Sequence, residues 1–375
     1  MRESLLQSQP LLRRELVTMR KNRPLNVRAP SLPRSNGRAA GSPASRPVSP
    51  TKERAVRTLD LFCGAGGSSC GAALAGACIV AGIDRWPLAI QTYRLNYPNA
   101  KAYESSLEDL APQKIAREVG GIELLLASPE CTNHSIARGG ADPDEKSQNT
   151  AFQVTRFAEV LEPRWIVIEN VVKMRQWRRY ETWLKKLKSL GYEKPVEVIL
   201  DAQHYGVAQS RKRLFIICDR EGTPQTPRRQ PGPKRTVKSV LTSRDEDGKQ
   251  WPFAPLTGPN RAEATLERAG RAMKALGKDS EFLMVYYGTD GAGGWQTIDR
   301  PLRTITTLDR FALVRPNGRG HEMRMLQPPE LSAAMGFPED YLWPQTARRN
   351  KIKMIGNAVC PPVMQAIVSQ LLKNR

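Results

Sequence analysis

From Val56 to Cys218, short apolar runs alternate with stretches of helical period, and no other feature of the sequence limits the possible folds so tightly. Val56 to Phe62, Cys78 to Ile83, Ala100 to Ser105, Ile122 to Ser128, Trp165 to Glu169, Pro195 to Leu200 and Arg213 to Cys218 read as strands. Between them, Ser68 to Ala75, Pro87 to Tyr97, Leu107 to Val119, Thr150 to Leu161 and Gln176 to Leu190 read as helices. Runs such as Leu124 to Ala127 and Trp165 to Ile168 have no alternate polar residue, so both faces of those strands need covering. The expected architecture is α/β, a mostly parallel sheet with helices on both faces. Trp177, Tyr180, Trp183, Leu184 and Leu187 fall on one helix face and are expected in the core.

The alternation has clear limits. Residues 1–55 are rich in Arg, Pro and Ser, with few large apolar side chains after Met19, so they bury too little to offset the entropy of ordering. A disordered basic tail is expected, fitting either loose contact with nucleic acid or a solubilising extension. Leu5, Leu6, Leu11, Leu12 and Leu16 would make only a short partner-bound helix, interrupted at Pro10. Residues 56–219 form the main body. At Arg220 the pattern breaks into Pro, Arg, Thr and Gly, with one helical stretch from Ala262 to Leu276, which reads as a small inserted domain over 220–297. Residues 298–375 are expected to return to the main body, through Pro301 to Val314 and a final helix from Pro361 to Leu372.

The formal net charge is +21. Residues 1–57 hold thirteen Lys and Arg against three Glu, so about half of the excess stays on the folded part. Nucleic acid is the first partner such a surface suggests. No run approaches the roughly 18 apolar residues of a membrane span, and six cysteines in a chain of this length form neither a disulfide framework nor a C-x-x-C pair. A monomer in a reducing cytoplasm is expected, without membrane attachment or structural metal.

Four stretches carry chemistry. Leu124 to Ser135 runs from a buried strand into a turn presenting Cys131; a lone intracellular cysteine is commonly just a small buried residue, but this one stands where open α/β sheets keep their reactive groups. The strand ending Asp60-Leu-Phe62 enters Cys63-Gly-Ala-Gly-Gly67, where backbone can approach an anionic ligand at a helix start. It lacks the complete G-x-G-x-x-G fingerprint, which disfavours NAD. Asp84 ends the next strand, placed to accept from ribose hydroxyls, and Trp86 is placed to stack on an adenine; helix capping and core packing explain the same pair. Glu169 follows a buried run and is poised for a raised pKa. Gln209, Arg211 and Arg213 recur at alternate positions before a strand, suited to an anion, although alone they read as a solvated charge run.

Together these residues resemble the DNA cytosine-5 methyltransferase family. The carriers are Asp60 to Gly67, Ser128-Pro-x-Cys131, Glu169-Asn-Val171, Gln209-x-Arg-x-Arg213 and Gly356-Asn-Ala-Val359 followed by Pro361-Pro362, in family order from about Thr58 to the C-terminus. Arg303 to Thr306 and Met335 to Pro338 also match family signatures. The resemblance implies a Rossmann-like methyltransferase domain that uses S-adenosylmethionine, yields S-adenosylhomocysteine, and carries 220–297 as its target-recognition domain. It implies that Cys131 attacks C6 of a flipped-out cytosine in duplex DNA, that Glu169 protonates N3, and that Arg211, supported by Arg213, orients the base. Phe62, Gly64, Ala65, Gly66, Gly67, Asp84, Trp86, Ser106, Leu107, Ser128, Pro129, Asn357, Ala358 and Val359 are the implied cofactor residues. Ser135, Arg138 and Gln209 are the implied DNA contacts, with the Thr132–Asn149 linker closing over the duplex.

The sequence departs from the family at several places. Glu130 replaces the usual proline before the nucleophile, and a carboxylate facing the thiol disfavours the thiolate. Thr132-Asn133-His134 replaces Gln-x-Phe, with His134 packing in the loop or touching the substrate backbone. Ser106 stands where an aspartate often meets the adenine amino group. An RNA methyltransferase of the same fold and a catalytically idle DNA-binding protein are the competing expectations. A bacterial or phage-type enzyme with or without a partner nuclease fits equally.

Overall fold

The computed structural model describes residues 55–129, 150–245, 247–258, 261–287 and 293–373. Its main element is a seven-stranded sheet built from β1 (Arg57–Leu61), β2 (Cys78–Asp84), β3 (Lys101–Glu104), β4 (Leu124–Ala127), β5 (Trp165–Asn170), β6 (Val196–Asp201) and β7 (Lys212–Asp219). The spatial order is β3-β2-β1-β4-β5-β7-β6, and only β7 runs against the others. The chain moves outward from β1 through β2 to β3 and then resumes on the other side at β4. The order therefore reverses between β1 and β4, and open sheets of this kind bind ligands in the crevice beyond such a point.

Helices α1 (Gly67–Leu74), α2 (Pro87–Asn96), α3 (Pro112–Val119), α4 (Thr150–Leu161) and α5 (Tyr180–Ser189) connect the strands. The apolar runs divide between two cores as a period of two demands. Leu125, Ile166 and Ile168 pack with Val154, Phe157, Trp183 and Leu187 on one side. Leu124, Leu126, Trp165 and Val167 pack on the other with Met364 and Ile367. All five residues expected on one helix face, Trp177 to Leu187, are buried, although Trp177 precedes α5.

A second sheet is antiparallel and has five strands in the order β10-β9-β11-β12-β8. These are β8 (Ala254–Pro255), β9 (Phe282–Val285), β10 (Trp295–Thr297), β11 (Phe311–Pro316) and β12 (His321–Met325), backed by α6 (Glu263–Leu276). The sequence expectation ended the inserted segment near 297, but its sheet continues to Met325. β11 explains the difference: Phe311 and Leu313 face the core shared with the large sheet, while Ala312 and Val314 face the small sheet's own core. Buried on both sides, β11 lacks alternation and mimics a strand of the parallel sheet.

Three helices close the described chain, α7 (Pro328–Met335), α8 (Arg348–Asn357) and α9 (Pro361–Leu372). α9 lies against α1, whose small residues permit the approach; a Cβ on Gly71 would sit 2.3 Å from Pro361 O. The most apolar 18-residue window of Arg348–Leu372 is 61% buried within the protein itself.

Candidate active site

The crevice is framed by the carboxyl ends of β1, β2, β4 and β5. At the end of β4, Ser128 donates its backbone N–H to Leu61 O at 3.2 Å. The next carbonyl, Pro129 O, accepts from Asn170 Nδ2 at 3.1 Å, while Asn170 Oδ1 accepts from Val171 N at 2.8 Å. Asn170 thus uses both ends of its amide to join the ends of β4 and β5. The chain leaves this clamp two residues before Cys131. Glu130, Cys131, Thr132, Asn133, His134, Ser135 and Arg138 lie outside the described residues.

Glu169 is the neighbour of that clamp on β5 and is 8% exposed. Its Oε1 lies 3.2 Å from Arg213 Nε. Burial raises the carboxyl above its ordinary range, and the positive charges of Arg213 and Arg211 draw it partly back. Such a group keeps its proton to higher pH than a free glutamate, as a proton donor should.

The two arginines take different places. Arg211 donates through Nη1 to Ile305 O at 2.9 Å and through Nη2 to Gly356 O and Ala358 O at 2.8 and 3.2 Å. Burial, with the charge of Arg213, lowers its pKa to about 10. Arg211, expected to orient the base, is committed to three carbonyls, whereas Arg213, expected to support it, stands beside Glu169. Gln209, expected at the DNA, is fully buried. Its Oε1 accepts from Ile305 N at 2.8 Å, and its Nε2 lies 2.8 Å from Met335 Sδ. It joins the 302–306 segment to α7 and offers no face to solvent.

The glycine turn forms the other wall. Phe62, Gly64 and Gly66 have φ of +57°, +52° and +87°, the left-handed region that a tight strand-to-helix turn requires. Asp84 holds the turn from the neighbouring strand, accepting from Gly64 N and from Trp86 N, each at 2.8 Å. Tyr97 OH donates to Gly66 O at 2.9 Å, and Tyr341 OH donates to Ala65 O. A Cβ on Gly67 would lie 2.3 Å from Val359 O, so the turn and the Asn357–Val359 segment are in direct contact. Trp86 is half-buried with Lys353 Nζ 4.7 Å from its ring centroid. Ser106 donates to Glu108 Oε2 at 2.5 Å, and buried Leu107 is held through its carbonyl by Arg156. A Cβ on Gly64 would meet nothing within 4 Å, so the turn faces open space there.

Beneath the turn, Asp60 is fully buried and accepts from Ser69 Oγ at 2.7 Å, with Tyr93 OH 2.8 Å beyond. Burial raises its carboxyl to about 7. Sequence reasoning did not find Asn170, Tyr97 or Tyr341 as positioning residues. Asn170 adjoins Glu169 in the same motif and was legible in principle; Tyr341 acts on a residue 276 positions away and has no local signal.

The sequence profile of the C-5 cytosine-specific DNA methylase family matches residues 56–373. Type II methyltransferase M.HgiDI of Herpetosiphon aurantiacus is 33% identical over 168 residues, covering 45% of this chain and 53% of that protein. Type II methyltransferase M1.HphI of Haemophilus parahaemolyticus is 26% identical over 336 residues, covering 84% and 86%. The chain thus spans about half the length of M.HgiDI, and 47% of M.DdeI from Desulfomicrobium norvegicum. In fold, a DNMT2 variant of Spodoptera frugiperda superposes with a TM-score of 0.60 at 19% identity, covering 85% of this chain and 99% of that one. The methyltransferase EhMeth of Entamoeba histolytica gives 0.61 at 13% identity, covering 86% and 99%. With the profile matched over 56–373, across both sheets, this chain belongs to the C-5 cytosine-specific DNA methylase family.

Proposed function

We propose that the chain transfers a methyl group to C5 of a cytosine flipped out of duplex DNA, with Cys131 as nucleophile. The observation that carries this reading is the buried Glu169, paired with Arg213 and joined through Asn170 to the strand end leading into Cys131. S-adenosylmethionine, when bound, supplies an electrophilic methyl group. The Gly64–Gly67 turn, Phe62, Asp84, Trp86, Ser106, Leu107, Ser128, Pro129 and Asn357 to Val359 are the residues to hold it, and the open space above Gly64 suits that role.

In this reading the Cys131 thiolate adds to C6 of the extruded ring. Glu169 gives a proton to N3 as the ring electrons shift, leaving C5 nucleophilic. C5 then takes the methyl group, and its hydrogen leaves as a proton to a solvent base. That electron pair restores the C5–C6 double bond, expels the Cys131 thiolate, and N3 returns its proton to Glu169. Arg213 keeps the Glu169 carboxyl aimed throughout. The five-stranded sheet with α6, and the segment from 220 that leads into it, serves as the target-recognition lobe.

Mass spectrometry of nucleosides, after incubation of duplex DNA with S-adenosylmethionine, tests the reading. It predicts 5-methyl-2'-deoxycytidine with the wild type and none with Cys131→Ala. Methylated cytidine from RNA alone, or turnover by the Cys131 variant, contradicts it.

A further inference from the structure

The outer edge of the seven-stranded sheet carries a cleft of about 610 Å³ that the proposed chemistry does not use. Its walls are β6, Lys212 at the start of β7, and Thr226, Pro227, Arg229 and Lys234 from the segment that runs along this edge. That segment is fixed in place. Gln230 N donates to His204 O at 2.9 Å, and Tyr205 OH donates to Pro227 O at 3.3 Å. Gly206 turns the floor at φ +75°, where a Cβ would lie 2.8 Å from Gln230 Oε1.

The cleft is charged and uncompensated. Lys212, Arg229 and Lys234 are exposed cations lining it, with His204 among them. Its single lining carboxylate, Asp201, accepts from Gln203 Nε2, Ser210 Oγ and Arg211 N at 2.6, 3.1 and 3.0 Å, so it is already bound from its own side of the strand. Among the described residues no ion pair involves any of the three cations. Partial burial first, then the charges of Arg229, Lys234 and Lys212 against that of Asp201, hold the His204 pKa below its ordinary value.

Its position matters as much as its charge. Asp201 and Lys212 are register partners, and Lys212 adjoins Arg213, whose Nε meets Glu169. The cleft therefore lies at the same end of the sheet as the Glu169–Arg213 pair, with Lys212 on the opposite face of β7 from Arg213. Three cations without counter-charge, contributed by β7 and by the segment over the β6 edge, suit the repeated charges of a phosphodiester chain.

We propose that the Lys212–Arg229–Lys234 cleft holds backbone phosphates of the nucleic acid substrate, outside the crevice that takes the base. The inference rests on the duplex-DNA reading above. Binding of a labelled duplex by the full-length protein, followed by anisotropy across a salt series, tests it with Arg229→Gln/Lys234→Gln. Removing one cation from a phosphate lowers the slope of log Kd against log salt by about 0.9, so the double substitution is expected to lower it by about 2. KM for DNA should rise while kcat at saturating DNA stays unchanged. The charge-preserving variant Arg229→Lys/Lys234→Arg should keep the wild-type slope, separating charge from misfolding. Equal slopes for wild type and the Gln variant overturn the proposal, as does weakened binding of tripolyphosphate with an unchanged DNA slope, which would mark a site for free phosphates. A wild type that binds no duplex at any salt refutes the substrate reading itself, and the proposal with it.

Discussion

Replacing each of the two motif arginines by methionine should give different defects, because the structure commits them to different partners. Arg211→Met removes three hydrogen bonds to buried backbone, at Ile305 O, Gly356 O and Ala358 O. Each deserted carbonyl costs about 1–3 kcal/mol, and relief from burying the guanidinium returns part of the total, for a net loss of about 3 kcal/mol. In a folded body of this size that lowers Tm by roughly 4–5 °C. Cofactor affinity should fall as well, since Ala358 adjoins Val359, which packs on Gly67. Arg213→Met removes the pairing with Glu169, between side chains 18% and 11% exposed, and one exposed hydrogen bond to the neighbouring Lys212 O. A charge-assisted interaction of that kind is worth about 1.5–3 kcal/mol, so kcat should drop about 10- to 100-fold. The same loss from the folded state should lower its melting point by about 2–4 °C, with cofactor affinity unchanged. Thermal melts, calorimetry of cofactor binding and single-turnover methylation separate the two patterns. An Arg211 variant that melts like wild type, or an Arg213 variant that melts below the Arg211 variant or loses cofactor affinity, would refute the division of roles.

Asn170→Ala frees Pro129 O and loosens the strand end before Cys131, so kcat should fall about 10-fold with cofactor affinity unchanged; equal losses in both would count against a local clamp. Gly67→Ala drives a methyl group to within 2.3 Å of Val359 O and should abolish cofactor binding in calorimetry, whereas Gly64→Ala meets open space and should cost only about 1 kcal/mol in denaturant melts, from its positive φ. Asp60 holds its proton more tightly in the folded state, so folding is favoured most below the unfolded pKa and loses that advantage as pH rises to about 7. Relative to Asp60→Asn, the wild type should lose on the order of 4 kcal/mol between about pH 4 and pH 7 in denaturant titrations, and parallel pH profiles would contradict the burial argument.

The parallel sheet was legible because its strands are buried on two faces and its helices carry their own start signals, such as Pro87 and Pro361 at the first helical position. The helices Thr150–Leu161 and Pro361–Leu372 match their sequence readings end to end. The helix read from Gln176 to Leu190 begins instead at Tyr180, since a short 3-10 turn and Trp177 precede it. β11 reads like a strand of the main body because it is apolar on both faces for a reason local sequence does not hold: two different cores meet on it. At the site, Glu169 and the glycine turn could be read from strand ends. The different duties of Gln209, Arg211 and Arg213 could not, because alternate spacing places all three alike and only the returning 302–306 and 356–358 segments decide which become buried.

The central claim is that Cys131 forms the covalent bond to the target base. Covalent trapping on duplexes carrying 5-fluorocytosine, with S-adenosylmethionine and peptide mapping of the adduct, tests it most directly, because fluorine at C5 blocks the elimination that would release the enzyme. A stable adduct at Cys131, absent in Cys131→Ala, is the expected result. An adduct on another residue, or none in a protein shown to bind both cofactor and duplex, contradicts it.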